Sequence, residues 1–265
     1  MPRTIASLLL LAACFAAGPA GAVELDGQPV QGGLIFGHAV PGSEVTLDGK
    51  AVIVSDDGRF VVGFGRDETG TRHLRVNEPG KPVFKRDLKI KPRQYALDKV
   101  NGLPPKTVTP DPAAVKRIRQ DARMVATARR HRDRHAWYAD GGFRWPARGR
   151  ISGVYGSQRI LNGKPRRPHY GVDIAAPRGA PVYAPADGLV TMAHPDMYLS
   201  GGTLILDHGQ GLSSTFLHLS KILVEAGTFV RQGELIARVG STGRANGPHL
   251  DWRMNWLDRR IDPQR

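Results

Sequence analysis

Near the C-terminus, Gly247-Pro248-His249-Leu250-Asp251-Trp252 sets an imidazole and a carboxylate two residues apart in a segment with strand character. Side chains alternate faces along a strand, so His249 and Asp251 are expected on one face. Upstream, His169-Tyr170-Gly171-Val172-Asp173 holds a second imidazole and carboxylate, and Thr215-Phe216-Leu217-His218 a third imidazole. A catalytic zinc site needs three protein ligands, an open position for water and a nearby proton acceptor. His169, Asp173, His218, His249 and Asp251 supply enough groups for three ligands and two catalytic side chains, and spacing alone does not divide the roles among them. The single cysteine is Cys14, so a metal held elsewhere in the chain must be bound by His, Asp or Glu.

These residues fall in a stretch, 143–265, that alternates Gly-rich turns with short strands and shows little helical periodicity. It reads as an antiparallel β domain, with strands over 181–184, 188–193, 202–207, 214–218, 235–239 and 249–253. Residues 23–98 carry a second β pattern, in which β-branched and aromatic runs are punctuated by Asp48-Gly49 and Asp57-Gly58. A small Ig-like β-sandwich is expected there, as a spacer or targeting module, with His38 and His73 as ordinary structural histidines. The chain as a whole is expected to be mainly β.

Between the two, residues 99–142 read as a linker with a basic helix. The segment Leu103–Pro112 is proline-rich, Asp111-Pro112 offers an N-cap followed by proline at the first helical position, and a helix is expected from there to about Arg134. Val115, Ile118, Ala122 and Val125 form a narrow apolar stripe that would dock on a domain, and the many arginines are expected on the solvated face. His131 and His135 have the spacing of a helical zinc pair. The intervening Arg132-Asp133-Arg134 lacks the glutamate of such a motif and its positive charges oppose a cation, so a structural reading is preferred.

The first 22 residues read as a signal peptide, with Arg3, an apolar core and Ala20-Gly21-Ala22 as the cleavage site. Leu11-Ala12-Ala13-Cys14 also fits a lipobox, so a lipid anchor through Cys14 is the alternative to a secreted or periplasmic protein, and only that anchor would attach the chain to a membrane. The formal net charge of +14 over 265 residues implies a polyanionic partner. Export points to an anionic cell-envelope polymer, and no zinc-finger spacing or RNA-binding aromatic motif points to nucleic acid.

The flanks of the five candidate residues follow a recurrent order: Phe143-Arg144-Trp145-Pro146, Gly153-Val154-Tyr155-Gly156, Pro168-His169 to Pro177, Ala184-Pro185-Ala186-Asp187-Gly188, Asp207-His208-Gly209, His218-Leu219-Ser220, and Gly240-Ser241-Thr242-Gly243 through Gly247-Pro248-His249. Over residues 143–263 this closely resembles the lysostaphin-like (LytM-type) zinc metallopeptidases, which cleave peptides of bacterial peptidoglycan. The resemblance implies a groove over an antiparallel sheet with one zinc per chain. It implies His169 and Asp173 as ligands and His218 and His249 as catalytic histidines, and it puts His208 in a family turn without making it a ligand; His208 and His194 are read as structural histidines. Asp251 stands where the family normally has its third ligand, a histidine.

Aspartate ligates zinc, but a second carboxylate lowers the net charge at the metal, so slower turnover or another divalent metal such as manganese is compatible with it. The function implied is a secreted or periplasmic endopeptidase acting on peptidoglycan peptides. The alternative is a degenerate relative that binds the wall and activates an amidase without cutting.

Overall fold

The computed structural model describes residues 23–103 and 108–265. The leader expected over residues 1–22, with Cys14, lies outside the described residues. Those described are mainly β, as the alternation of the sequence predicts. Among them, no helix is long and apolar enough to cross a membrane.

The N-terminal part contributes β1 (Glu24–Gly27), β2 (Leu34–His38), β3 (Glu44–Leu47), β4 (Lys50–Val52), β5 (Arg59–Gly63), β6 (Thr71–Asn77) and β7 (Phe84–Lys89). They form two antiparallel sheets, ordered β1-β2-β5 and β4-β3-β6-β7. Strand β6 shows why: Leu74 and Val76 point inward while their neighbours are exposed or half-buried, the period of two that a one-sided sheet requires. Asp48 and Gly49 both take positive φ, 50° and 76°, in the two-residue turn joining β3 to β4. His38 and His73 sit on the outside against Asp57 and Asp87.

The chain then departs from a plain linker. Strand β8 (Leu97–Val100) pairs in parallel with β10 (Gln158–Leu161), which hairpins onto β11 (Lys164–Pro165). Leu103 and Val108 pack on Leu161 from this side. Residue 98, expected as the end of the first module, therefore lies inside a strand of the second sheet system.

Helix α1 (Pro112–Ala128) begins as expected: Asp111 Oδ1 accepts the Ala114 amide at 2.7 Å, with proline in the first turn. Its Val125 and Ala128 pack on Met192, Met197 and Ile205, and Arg117 pairs with Asp196 at 2.8 Å. The helix stops at Ala128 rather than near Arg134. Backbone bonds to another segment win over continued helix: Gln210 N–H donates to Asp133 O at 2.7 Å and Trp137 N–H to His208 O at 3.1 Å. His131 and His135 are thus off the helix, held by Asp207 and Asp133 respectively.

The remaining strands are β9 (Arg150–Gly153), β12 (Val172–Ala175), β13 (Pro181–Tyr183), β14 (Gly188–Met197), β15 (Gly201–Asp207), β16 (Leu212–Leu219), β17 (Lys221–Ile222), β18 (Phe229–Val230), β19 (Leu235–Arg238), β20 (His249–Trp256) and β21 (Arg259–Ile261). The main sheet runs β18-β14-β15-β16-β20-β12-β9, with β21 paired to β20, and a small sheet runs β13-β19-β17. Strands β15 and β16 are buried at every position, so no alternation survives in them. Strand β20 does alternate: Leu250, Trp252, Met254 and Trp256 enter the hydrophobic core, leaving His249, Asp251 and Arg253 for the opposite face.

Candidate metal centre

The register of three adjacent strands builds the site. Asp173 in β12 lies directly opposite Asp251 in β20, and Ala175 opposite His249. On the other flank Asp173 faces Gly153 of β9. Like charges directly opposite across an antiparallel pair repel, so two facing carboxylates need cations. Two are already present: Arg159 Nη2 donates to Asp173 Oδ2 at 2.6 Å, and Arg253 donates from Nε to Asp251 Oδ1 at 3.0 Å and from Nη2 to Oδ2 at 2.6 Å.

His169 closes the group from the loop before β12. Its Nε2 is 3.1 Å from Asp173 Oδ1 and 3.5 Å from Asp251 Oδ2. His169, Asp173 and Asp251 can each offer one ligand atom within 4.8 Å of the others. Ligands on one tetrahedral zinc, each about 2.0–2.2 Å from it, are separated by about 3.3–3.6 Å. The two separations from His169 are close to that spacing. Both ring nitrogens of His169 and Oδ1 of Asp173 are buried without a hydrogen-bond partner, a costly arrangement that a bound cation at Nε2 and Oδ1 relieves. The residues fit a divalent metal.

The electrostatics point the same way. Burial acts against the imidazolium of His169, but Asp251 and Asp173 outweigh it and raise its pKa. Burial likewise acts against the Asp251 carboxylate, and Arg253 and His169 overcome it, holding the group well below the usual carboxylate range. Asp173 is lowered too, by His169 and Arg159 against burial and the Asp251 charge. Both carboxylates are thus ionised and ready to ligate.

His218 and His249 stand beside this group, their ring centroids 4.8 Å apart. His218 Nδ1–H donates to Thr242 O at 2.7 Å and His249 Nδ1–H to Gly247 O at 2.8 Å, so both rings carry their lone pair on Nε2. His249 Nε2 lies 3.9 Å from Asp173 Oδ1. Burial pulls the His218 pKa down to about 4, which keeps the ring neutral. His218 also takes φ = 63°, a left-handed conformation uncommon for a residue with a Cβ. A cleft of 370 Å³ is lined by Asp173, His218 and His249, together with Asp98, Lys99 and Leu103.

All five residues singled out in the sequence therefore converge. The histidines set aside as structural lie apart from the centre: His208 is buried against Asp187 O and Ser214, and His194 Nδ1 accepts the Asp196 amide. Sequence reasoning missed Arg159 and Arg253, although Arg253 shares the strand period of His249 and Asp251. It also missed two glycines. A Cβ on Gly153 would sit 2.4 Å from Asp173 Oδ2, and one on Gly171 would sit 2.4 Å from Asp251 Oδ1, so both leave space for the carboxylates.

Residues 167–263 match the model of peptidase family M23. This chain carries an M23 domain of the LytM type. The match includes four of the five site residues on β-strands or beside them and the loop bearing His169. The M23 domain is similar to peptidoglycan DD-endopeptidase ShyB of Vibrio cholerae, 42% identical over 36% of this chain and 22% of ShyB. It is also similar to the DD-carboxypeptidase/endopeptidase Mpg of Neisseria meningitidis, 40% identical over 37% of this chain and 22% of Mpg. The match thus spans about a fifth of these curated relatives' own length. A crystal structure of an M23 peptidase from Pseudomonas aeruginosa aligns over 89% of this chain and 93% of that one, with a TM-score of 0.66 and 29% identity. The likeness to that structure extends beyond the M23 domain into the N-terminal sheets.

Proposed function

We propose that the protein is an extracytoplasmic metalloendopeptidase that hydrolyses peptide bonds of bacterial peptidoglycan. The observation that carries this reading is the spacing of His169, Asp173 and Asp251 around buried donor atoms that lack partners, beside two imidazoles. ShyB, a peptidoglycan DD-endopeptidase, supplies the substrate class by similarity.

His169, Asp173 and Asp251 would hold a zinc ion, which would polarise the scissile carbonyl and bring the attacking water to it. His218 and His249 act as proton acceptors through Nε2, because a carbonyl oxygen occupies the other nitrogen of each ring. The ring that takes the proton becomes a donor at Nε2. From there it stabilises the developing oxyanion and returns the proton to the leaving amine. Arg159 and Arg253 hold the carboxylates in the room that Gly153 and Gly171 leave, and the N-terminal sheets with the basic helix orient the groove on the anionic wall. A wall-bound substrate agrees with the net charge of +14.

Purified protein incubated with isolated peptidoglycan, with and without chelator, tests the proposal by mass spectrometry of the released fragments. Chelator-sensitive peptide cleavage that His249→Ala abolishes is the expected result. No release by the zinc-loaded wild type, with wall binding retained, would instead establish a non-cutting relative.

A further inference from the structure

A second pocket, of 420 Å³, lies beyond the metal cleft under helix α1 and shares His218, Arg159 and Arg244 with it. Three further arginines line it: Arg129, Arg253 and Arg260. Two of these five guanidiniums are committed to the metal-site carboxylates, Arg159 to Asp173 and Arg253 to Asp251. Among the described residues, the hydrogen bonds of the Arg129 and Arg260 guanidiniums go to neutral oxygens. Arg129 Nη2 donates to Thr215 Oγ1 at 2.8 Å and Arg260 Nη1 to Asn255 Oδ1 at 2.9 Å. The Nε of Arg129 is buried in this region without a partner.

One carboxylate belongs to the pocket wall, Asp121, and its Oδ2 accepts the Tyr198 amide at 2.7 Å. It forms no ion pair with either Arg129 or Arg260 among the described residues. Burial and the nearby Arg260 and Arg253 charges push Arg129 well below its ordinary pKa. Guanidiniums with no carboxylate partner, as Arg129 and Arg260 are among the described residues, have donors suited to an anion.

The helix explains how the cluster forms. Arg129 is the C-cap of α1, so docking of Val125 and Ala128 on the β14–β15 surface delivers its guanidinium to the pocket. Arg129 follows Val125 by four residues, so it lies on the docked face of the helix. Met197 and Leu217 supply apolar wall beside the arginines.

We propose that this pocket is a carboxylate subsite, which seats a free carboxylate of a peptide whose scissile bond lies in the adjoining metal cleft. The proposal rests on the peptidase reading for what occupies the cleft. Planar guanidiniums suit a carboxylate, which two of them can grip at once, and the apolar wall suits a small aliphatic side chain next to it. The enzyme then prefers substrates with a free carboxylate close to the bond it cuts, and α1 is part of the specificity apparatus.

The test uses full-length protein freed of metal, so that binding is read without hydrolysis. Three probes are compared by NMR titration: N-acetyl-D-alanyl-D-alanine, its C-terminal amide, and N-acetyl-D-glutamic acid α-amide, whose sole carboxylate is on the side chain. Loss of a charged hydrogen-bond pair is worth about tenfold or more in affinity. Wild type is expected to bind at least one acid about tenfold tighter than the amide. The tighter acid reveals whether the carboxylate comes from a chain end or a side chain. Arg129→Gln and Arg260→Gln should each erode the preference and Arg129→Lys should keep part of it, with thermal melts verifying folding. Equal binding of acids and amide by wild type, binding of none, or a preference that survives in the folded double variant would overturn the subsite. A carboxylate preference in a protein that releases no peptidoglycan fragments would retain the subsite and remove the peptidase reading.

Discussion

Arg253 grips both carboxylate oxygens of Asp251, two residues before it on the same face of β20. Asp251 is 1% exposed, so the pair is largely shielded on the carboxylate side. An aspartate joined to an arginine has no net charge, as a neutral imidazole has none. The pair therefore supplies an anionic donor atom without changing the net charge at the position where the lysostaphin-like pattern has histidine, and the charge expected to burden the centre is offset from within the strand.

Removing that offset has a direction. In Arg253→Met a positive charge leaves the centre, so every proton lost there becomes less acidic and the acid limb of the pH–rate profile moves to higher pH. The profile of peptide hydrolysis measured on both proteins checks this. Superimposable limbs would mean that Arg253 only positions Asp251.

Asp251→Asn is expected to weaken binding of a divalent metal by more than about 100-fold, beyond the range typical of residues that merely support a ligand. Competition with a chromophoric chelator measures it. Unchanged affinity would exclude Asp251 from the ligand set.

Gly171→Ala tests the packing behind the site. Its Cβ would lie 2.4 Å from Asp251 Oδ1 and 2.7 Å from the Trp252 carbonyl oxygen, and that backbone cannot withdraw without disturbing β20. Metal affinity should fall along with thermal stability. A variant with wild-type affinity and melting temperature would show that the strand yields freely.

Burial lowers the His208 pKa to about 4 from 6.5, so the native state favours the neutral ring and the unfolded chain takes up a proton first. Its contribution to stability is complete above pH 6.5 and is lost as pH falls toward 4, amounting to about 3 kcal/mol at most. Denaturant unfolding at pH 7 and at pH 4 should show a smaller acid-induced loss for His208→Gln than for wild type. An identical loss would place the titration elsewhere.

The site residues were legible because strand alternation is a short-range rule: His249 and Asp251 follow it, and the family pattern around His169 and His218 supplied their companions. What joins them was not legible. That Asp173 lands opposite Asp251 is a matter of register between segments far apart in sequence, and the need for Arg159, Arg253, Gly153 and Gly171 follows only from that register. The N-cap of α1 could be read from Asp111-Pro112, whereas its end could not. Residues up to Arg134 lack a breaker, and the helix yields to backbone partners on the 207–210 turn. Strand β8 was hidden because its partner, β10, begins 58 residues beyond the end of β8.

That parallel pairing limits how such a protein can be assembled from parts. Asp98 of β8 lies 3.5 Å from Arg159, which in turn holds Asp173, so residues at the end of the N-terminal half reach the candidate centre in two steps. A recombination junction drawn anywhere between 101 and 142 would leave β8 with the wrong module and strip β10 of its neighbour. Residues upstream of β8 are bound in as well, since Arg93 pairs with Asp262 at 2.8 Å and Glu68 with Arg259 at 3.0 Å, so the two sheet systems share one core and constrain each other's exchange.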